Sequence, residues 1–272
     1  MADNIKGVIW ESDTIATIER EHVDGNRGYC QRDWDEHPFA ATNYTTAFPE
    51  SALIDESEWP DRYNEFLTQK NSLADQVKAT GWTVFDQGNT NYCWANAVVA
   101  CIEAARIKQG DPWIRLSSAS VASIIKNFRN QGGWGSEALE FCVERGVATN
   151  TTWGNATINP GREAINHADI ERPHFKAIEF YELPPDPVDM RKCFMSALFH
   201  GWPCAPGYDW WRHQVAAFAP WRSPNGVWGS TGPNSWAATY GDNGWYYLEG
   251  RKSVAQDCIC LHSVTPSPGP VA

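Results

Sequence analysis

The chain has 272 residues, 42% hydrophobic and 20% charged, with 33 acidic against 22 basic side chains and a formal charge of −11. A chain this long buries one divided core or two. The acidic balance, with no block of five like charges, offers no field to draw phosphates, so nucleic acid and membrane surfaces are not expected partners. No apolar run reaches the roughly 18 to 20 residues of a membrane helix, and residues 1–13 lack the basic and apolar stretches of a standard secretory signal. Eight cysteines are too dilute for a disulfide scaffold, and together with the missing signal they lead us to expect free thiols in a cytoplasmic, reducing or virion-associated protein. Composition alone does not account for the 15 tryptophans.

In chain order, residues 6–10 and 14–19 are short strand-like runs separated by Glu-Ser-Asp, which predicts a hairpin. Between residues 51 and 80, Trp59, Tyr63, Phe66 and Leu67 recur at the spacing of an amphipathic helix. From Cys93, the residues Trp94, Val98, Cys101, Ile102 and Ala105 form one apolar face, with Gly110 placed to cap the helix end. A second helix is expected after an N-cap at Ser117 or Ser118, and a third from Ser136 to Gly146. Beyond a Pro-broken stretch, a further helix is expected from Asp189 to Gly201. The texture then changes to short apolar runs at residues 214–219, 226–230, 235–239, 245–249 and 258–261, bounded by Gly, Pro, Asn and Ser. Helices followed by strands predict an α+β protein of two unlike halves. Residues 265–272 carry three prolines and read as an extended tail.

Cys93 is the residue with the clearest chemical promise. A thiolate attacks carbonyls far better than a thiol, and both a helix N-terminus and a nearby imidazolium depress a thiol's pKa. Of the seven histidines, only His213 opens an apolar strand-like run, a rigid place for a base. Asn234 lies 21 residues further on, where a neighbouring strand returns, and would orient the ring without adding negative charge. Gln87, six residues before Cys93, can offer an amide to an oxyanion beside the Cys93 N–H. Cys258-Ile-Cys260 has no second pair at zinc-site spacing, so neither metal nor cofactor is expected.

The segment DQGNTNYCWANAVVACIEAARI resembles the nucleophile segment of the papain-like cysteine peptidases. LSSASV, NQGGWGSEALEFCVERG, RHQVAAF and PNSWAATYGDNGWYYLEG resemble further segments of that family in the family's order, across residues 80–266. The resemblance implies a two-lobed α+β fold, with a helical left lobe, an antiparallel β-barrel-like right lobe and a cleft between them. It implies Cys93 as nucleophile, His213 as general base and acid, Asn234 as orienter and Gln87 as oxyanion donor. It further implies Trp236 as a shield over the Asn–His hydrogen bond, Gly132 and Gly133 as bare backbone for an extended substrate, and Trp134 as a wall of the pocket for the side chain two residues before the scissile bond.

The sequence also departs from the family pattern. Thr90 and Asn130 stand where secreted members carry the two halves of a disulfide, and Cys204 with Cys258 is the remaining candidate pair, although strand packing accounts for Cys258 and Cys260 more simply. Asn91 and Tyr92 replace a small pair before the nucleophile and would crowd the site, and an inward Arg212 would weaken the imidazolium. His213 follows Cys93 by 120 residues, fewer than the ~130 to 150 typical of papain-like enzymes, while Asn234 follows by 141. The first 80 residues do not resemble the family's helical prosegment and would either cover the cleft or dock elsewhere. The expected organisation is an extension at 1–80, a catalytic domain at 81–266 divided near 187/188, and a tail at 267–272. The expected function is cleavage of peptide bonds in a peptide or protein substrate through a Cys93 thioester. The alternatives are a binding or structural module, such as a phage virion component in a larger assembly through residues 1–80, and a thiol amidase acting on a cell-wall or other non-peptide amide.

Overall fold

The computed structural model describes residues 6–21, 27–38 and 46–266. The tail at 267–272 lies outside the described residues. The chain begins with strand β1 (Val8–Ile9) and helix α1 (Ile15–Glu21), then β2 (Thr46–Ala47), α2 (Trp59–Gln69) and α3 (Leu73–Ala79). The central helix α4 (Cys93–Lys108) is followed by α5 (Ala119–Ile125), α6 (Gly135–Glu144) and α7 (Arg162–Glu171). Strand β3 (Ala177–Glu182) precedes α8 (Pro187–Phe199), and the strands β4 (Cys204–Tyr208), β5 (His213–Gln214), β6 (Ala219–Arg222), β7 (Trp228–Pro233), β8 (Trp245–Glu249) and β9 (Asp257–Val264) complete it. The strands form one sheet ordered β1, β8, β7, β6 and another ordered β2, β3, β9, β4, β5, which together close no barrel.

Local chemistry explains most boundaries. Helix α4 is buried from Cys93 to Ile107 with almost no polar face, as expected of a helix enclosed by core on every side. Gly110 and Gly146 take left-handed conformations just past α4 and α6, and a side chain at 146 would sit 1.9 Å from the Arg172 carbonyl oxygen. The Ser117 hydroxyl accepts from the Ser120 N–H at 3.1 Å and so caps α5. The Asp186 carboxylate caps α8 through Val188 and Asp189, two residues earlier than the sequence suggests, with Pro187 in the first turn.

Two expectations are corrected. Residues 14–19 do not return as a hairpin strand, because α1 forms there and β1 instead pairs in parallel with β8. Residues 235–239 form no strand, since only Trp236 makes a bridge, to Asp86. β1 edges one sheet and β2 pairs with β3 in the other. All eight cysteines are free, and Cys204 and Cys260 face each other across β4 and β9.

Glu103, on α4, is buried against the indole N–H groups of Trp82 and Trp113, the Leu116 N–H at 2.6 Å and the Arg115 guanidinium. Burial wins over these partners and pushes its carboxyl up to about 7. A carboxyl whose folded pKa is raised makes the folded state bind the proton more tightly, so stability rises as pH falls through that value. Thermal unfolding measured between pH 8 and 6.5 is expected to show a midpoint that rises on acidification, with the rise reduced in Glu103→Gln.

Candidate active site

Cys93 is the first residue of α4, and its sulfur is fully buried between the helix start and the amide of Gln214, the residue after His213. His213 opens β5, paired opposite Tyr208 of β4. Its Nε2 meets Asn234 Oδ1 at 2.8 Å, and the Ser235 N–H donates to the same oxygen at 2.7 Å. Because the backbone donor fixes that atom as the amide oxygen, Nε2 must carry the proton and Nδ1 of the neutral ring is bare. Nδ1 is buried and, among the described residues, makes no hydrogen bond, to Cys93 or to any other group. Trp236 stacks on the ring with centroids 4.2 Å apart and Trp211 meets it edge-on at 5.0 Å, so the imidazole is held in plane by two indoles. Gln87 is anchored by its N–H to the Ser235 carbonyl, its side-chain oxygen accepts from the Ser235 hydroxyl, and its amide nitrogen donates to the Thr90 carbonyl at 2.7 Å.

The departures from the family pattern have physical solutions. In place of a cystine, the Asn130 side chain accepts from the Asn91 N–H at 2.6 Å and donates to the Asn89 carbonyl at 2.9 Å, tying the loop before the nucleophile. Tyr92 turns inward, with its hydroxyl on the Arg129 carbonyl at 2.8 Å, and so does not crowd the site. Arg212 is exposed.

Residues 27–38 lie across this site. The Gly28 N–H donates to Cys93 Sγ at 3.3 Å. The Gly133 N–H donates to the Gly28 carbonyl at 2.9 Å, and the Cys30 N–H donates to the Gly133 carbonyl at 3.1 Å, so Tyr29 pairs with Gly133 as a parallel strand. Gly132 and Gly133 are therefore both engaged, and a side chain at 132 would stand 2.4 Å from the Gly28 carbonyl oxygen. Trp134 borders the same segment and packs on His37 with ring centroids 4.6 Å apart. Further along, the buried Arg32 guanidinium pairs with Glu182 and with Asp257 at 3.3 Å, and donates to the carbonyls of His37 and Pro38 at 2.8 Å each. Sequence reasoning missed Gly28, Tyr29 and Arg32, since a 12-residue stretch without periodicity gives no pattern to find.

Burial sets the protonation of the pair beneath the cover. Burial pushes the Cys93 thiol up to about 11 against the pull of the surrounding amides. Burial likewise lowers His213 to about 3, outweighing the Asn234 hydrogen bond, and Arg27 of the cover adds a like charge. The covered site therefore holds a neutral thiol and a neutral imidazole. The Gly28 N–H of the segment faces the sulfur.

The chain matches no protein-family model. Its fold is that of papain-like cysteine proteases of known structure. It is similar to xylellain, a cysteine protease from Xylella fastidiosa, at 15% identity and TM-score 0.57 over 88% of this chain and 97% of that one. It is similar to digestive procathepsin L 3 of Tenebrio molitor at 16% identity and TM-score 0.57, over 93% and 86%. A third similar structure is the proform of the ragweed pollen allergen Amb a 11, a cysteine protease, at 20% identity and TM-score 0.55; the match covers 68% of this chain and 62% of the length of that one.

Proposed function

We propose that this chain, which carries the papain-like fold, is a thiol peptidase held latent by its own residues 27–38. The observation that carries the reading is the buried constellation of Cys93, His213 and Asn234, in which the amide fixes the tautomer that leaves Nδ1 bare for a thiol proton. With the cover withdrawn, His213 takes the proton from Cys93, and the sulfur attacks the scissile carbonyl carbon. The Cys93 N–H and the Gln87 amide receive the developing oxyanion. The imidazolium then returns its proton to the leaving amine, and water, deprotonated by His213, cleaves the thioester to the acid and the free thiol. Trp236 and Trp211 exclude water from the Asn–His hydrogen bond throughout. Two of the similar structures are precursors by their names, a procathepsin and a proform, which supports the reading of a covered cleft as a latent state.

Long incubation of the full chain with a peptidyl epoxide, followed by adduct mapping, is the direct test. The expected adduct is on Cys93 and is lost in Cys93→Ala. Labelling confined to Cys30, the exposed thiol, would overturn the proposal.

A further inference from the structure

The residue that the cover places opposite Gly133 is Tyr29, and its side chain reports the shape of the pocket it fills. Tyr29 is only 6% exposed, and its ring lies flat against Gly207 of β4, where an added Cβ would come within 2.3 Å of Cε2 and 2.6 Å of Cζ. Gly207 does not have the positive φ that would call for glycine, and it pairs regularly with Gln214 and Asp257. What the missing side chain supplies there is room for an aromatic ring. Beyond the ring, the Tyr29 hydroxyl faces Asp209. The hydroxyl and Asp209 Oδ1 are both buried and, among the described residues, neither has a hydrogen-bond partner, so a phenol and a carboxylate are left facing each other with donor and acceptor to spare. A cavity of about 150 Å³ adjoins them, bordered by Pro185, Pro187 and Ala255.

An extended peptide that adds to an exposed backbone edge takes affinity from main-chain hydrogen bonds and selectivity from the pockets beneath its side chains. A substrate strand that adds to the edge the cover now occupies would use the N–H and carbonyl of Gly133, the groups that the cover bonds on either side of Tyr29 while its Gly28 N–H reaches Cys93. The residue of that strand opposite Gly133 then enters the space that Tyr29 occupies.

We infer that this pocket selects a tyrosine side chain in the substrate, with Gly207 making room for the ring and Asp209 accepting from the phenol hydroxyl. The inference rests on the thiol-peptidase reading and names its substrate class: peptides bearing tyrosine at the residue that pairs with Gly133. Asp209 distinguishes tyrosine from phenylalanine, and Gly207 distinguishes both from branched aliphatic residues. Burial raises the Asp209 carboxyl, with the Tyr29 hydroxyl pulling it back down, and burial with the nearby acids keeps the Tyr29 phenol protonated and able to donate.

The test is a series of peptidyl epoxides with tyrosine, phenylalanine, leucine or valine at that residue, applied to the full chain and to Gly207→Val and Asp209→Asn, with the rate of Cys93 labelling as readout. The expected order is tyrosine, then phenylalanine, then leucine and valine, with at least tenfold between tyrosine and leucine. Gly207→Val is expected to abolish the aromatic preference, and Asp209→Asn to remove the advantage of tyrosine over phenylalanine while leaving both ahead of leucine. Labelling of Cys93 with leucine or valine as fast as with tyrosine would overturn the pocket assignment and leave the thiol chemistry standing. Failure of every trap to reach Cys93, in the native chain and in Gly28→Val alike, would overturn the thiol reading and this inference with it. Because each substitution lies at the pocket, near-ultraviolet circular dichroism accompanies the rates, and Tyr29→Leu in the otherwise unaltered chain gives an independent measure: it should loosen the cover and speed labelling, whereas Tyr29→Phe should do so less. Equal rates for both variants and the native chain would also count against the pocket.

Discussion

Replacing Gly28 with valine is expected to raise the rate at which Cys93 is alkylated at pH 7.5 by about a thousandfold. A Cβ at position 28 would lie 1.8 Å from the Asn91 carbonyl oxygen and 2.4 Å from its carbon, atoms of the backbone that leads into α4. The cover cannot close over a side chain there without moving the nucleophile loop, which Asn130 holds in place. Under the cover the thiol is pushed up to about 11, so at pH 7.5 roughly three molecules in ten thousand carry a thiolate. Uncovered, the same sulfur regains solvent, the helix N-terminus and a chargeable imidazole, the setting in which thiols fall to roughly 3.5 to 7.5. Arg32→Met tests the same cover from its far end and touches nothing at the site. It strips the guanidinium from Glu182 and Asp257, and breaking one side of a buried ion pair costs about 3 to 5 kcal/mol, so the cover should open on the order of a hundredfold more often. Peptide mapping after timed alkylation, with Cys30 as an internal exposed reference, measures both. If the two variants fold and Cys93 reacts at the native rate in each, residues 27–38 do not govern access to it.

The parts of this fold that were legible in the sequence are those in which several local cues agree. Helix α4 combines an apolar pattern, good helix formers and a glycine stop, and β8 was bounded correctly because Gly244 and Gly250 both bracket an aromatic run. Strand β4 was missed for the opposite reason: CAPGY contains a proline and a glycine, which read locally as a break, yet Pro206 needs no ladder donor where it sits and its carbonyl still accepts from Val215. Residues 14–19 alternated like a strand, but the seven-residue helix Ile15–Glu21 forms there, because so short a run does not let periodicity separate the two. At the site, Cys93, His213, Asn234 and Gln87 were readable from residue type and order, whereas the protonation state was not. That state depends on Gly28, Tyr29 and Arg27, brought over the site from more than 60 residues away by contacts that leave no trace in local pattern. Several tryptophans without a functional reading from sequence turn out to be packing elements, such as Trp59 against Trp228 and Phe199, and Trp82 against Trp245 and Phe218.

In the uncovered Gly28→Val chain, His213→Ala is expected to lower kcat/KM for a tyrosine-bearing peptide at least ten-thousandfold, and Asn234→Ala only about tenfold to hundredfold. In the proposed reaction His213 has two tasks: it removes the thiol proton, and it returns a proton to the leaving amine. Cys93 and His213 act as one unit, so Cys93→Ala should cost as much as His213→Ala, and the double variant little more than either. Asn234 acts through the ring. It selects the Nε2–H tautomer, but the plane of the imidazole is also held by Trp236 across its face and Trp211 at its edge, so losing the amide redistributes the proton without releasing the ring. The competent tautomer then remains a sizeable minority, which bounds the loss. The pH profile separates this positioning role from a structural one, since Asn234→Ala removes a bond that favours the charged ring and should move the upper limb of the profile, where the imidazolium loses its proton, toward more acid pH. A His213→Ala variant that retains activity within tenfold of its parent would show that the imidazole carries no proton in the reaction, and the assignment of the base would fall.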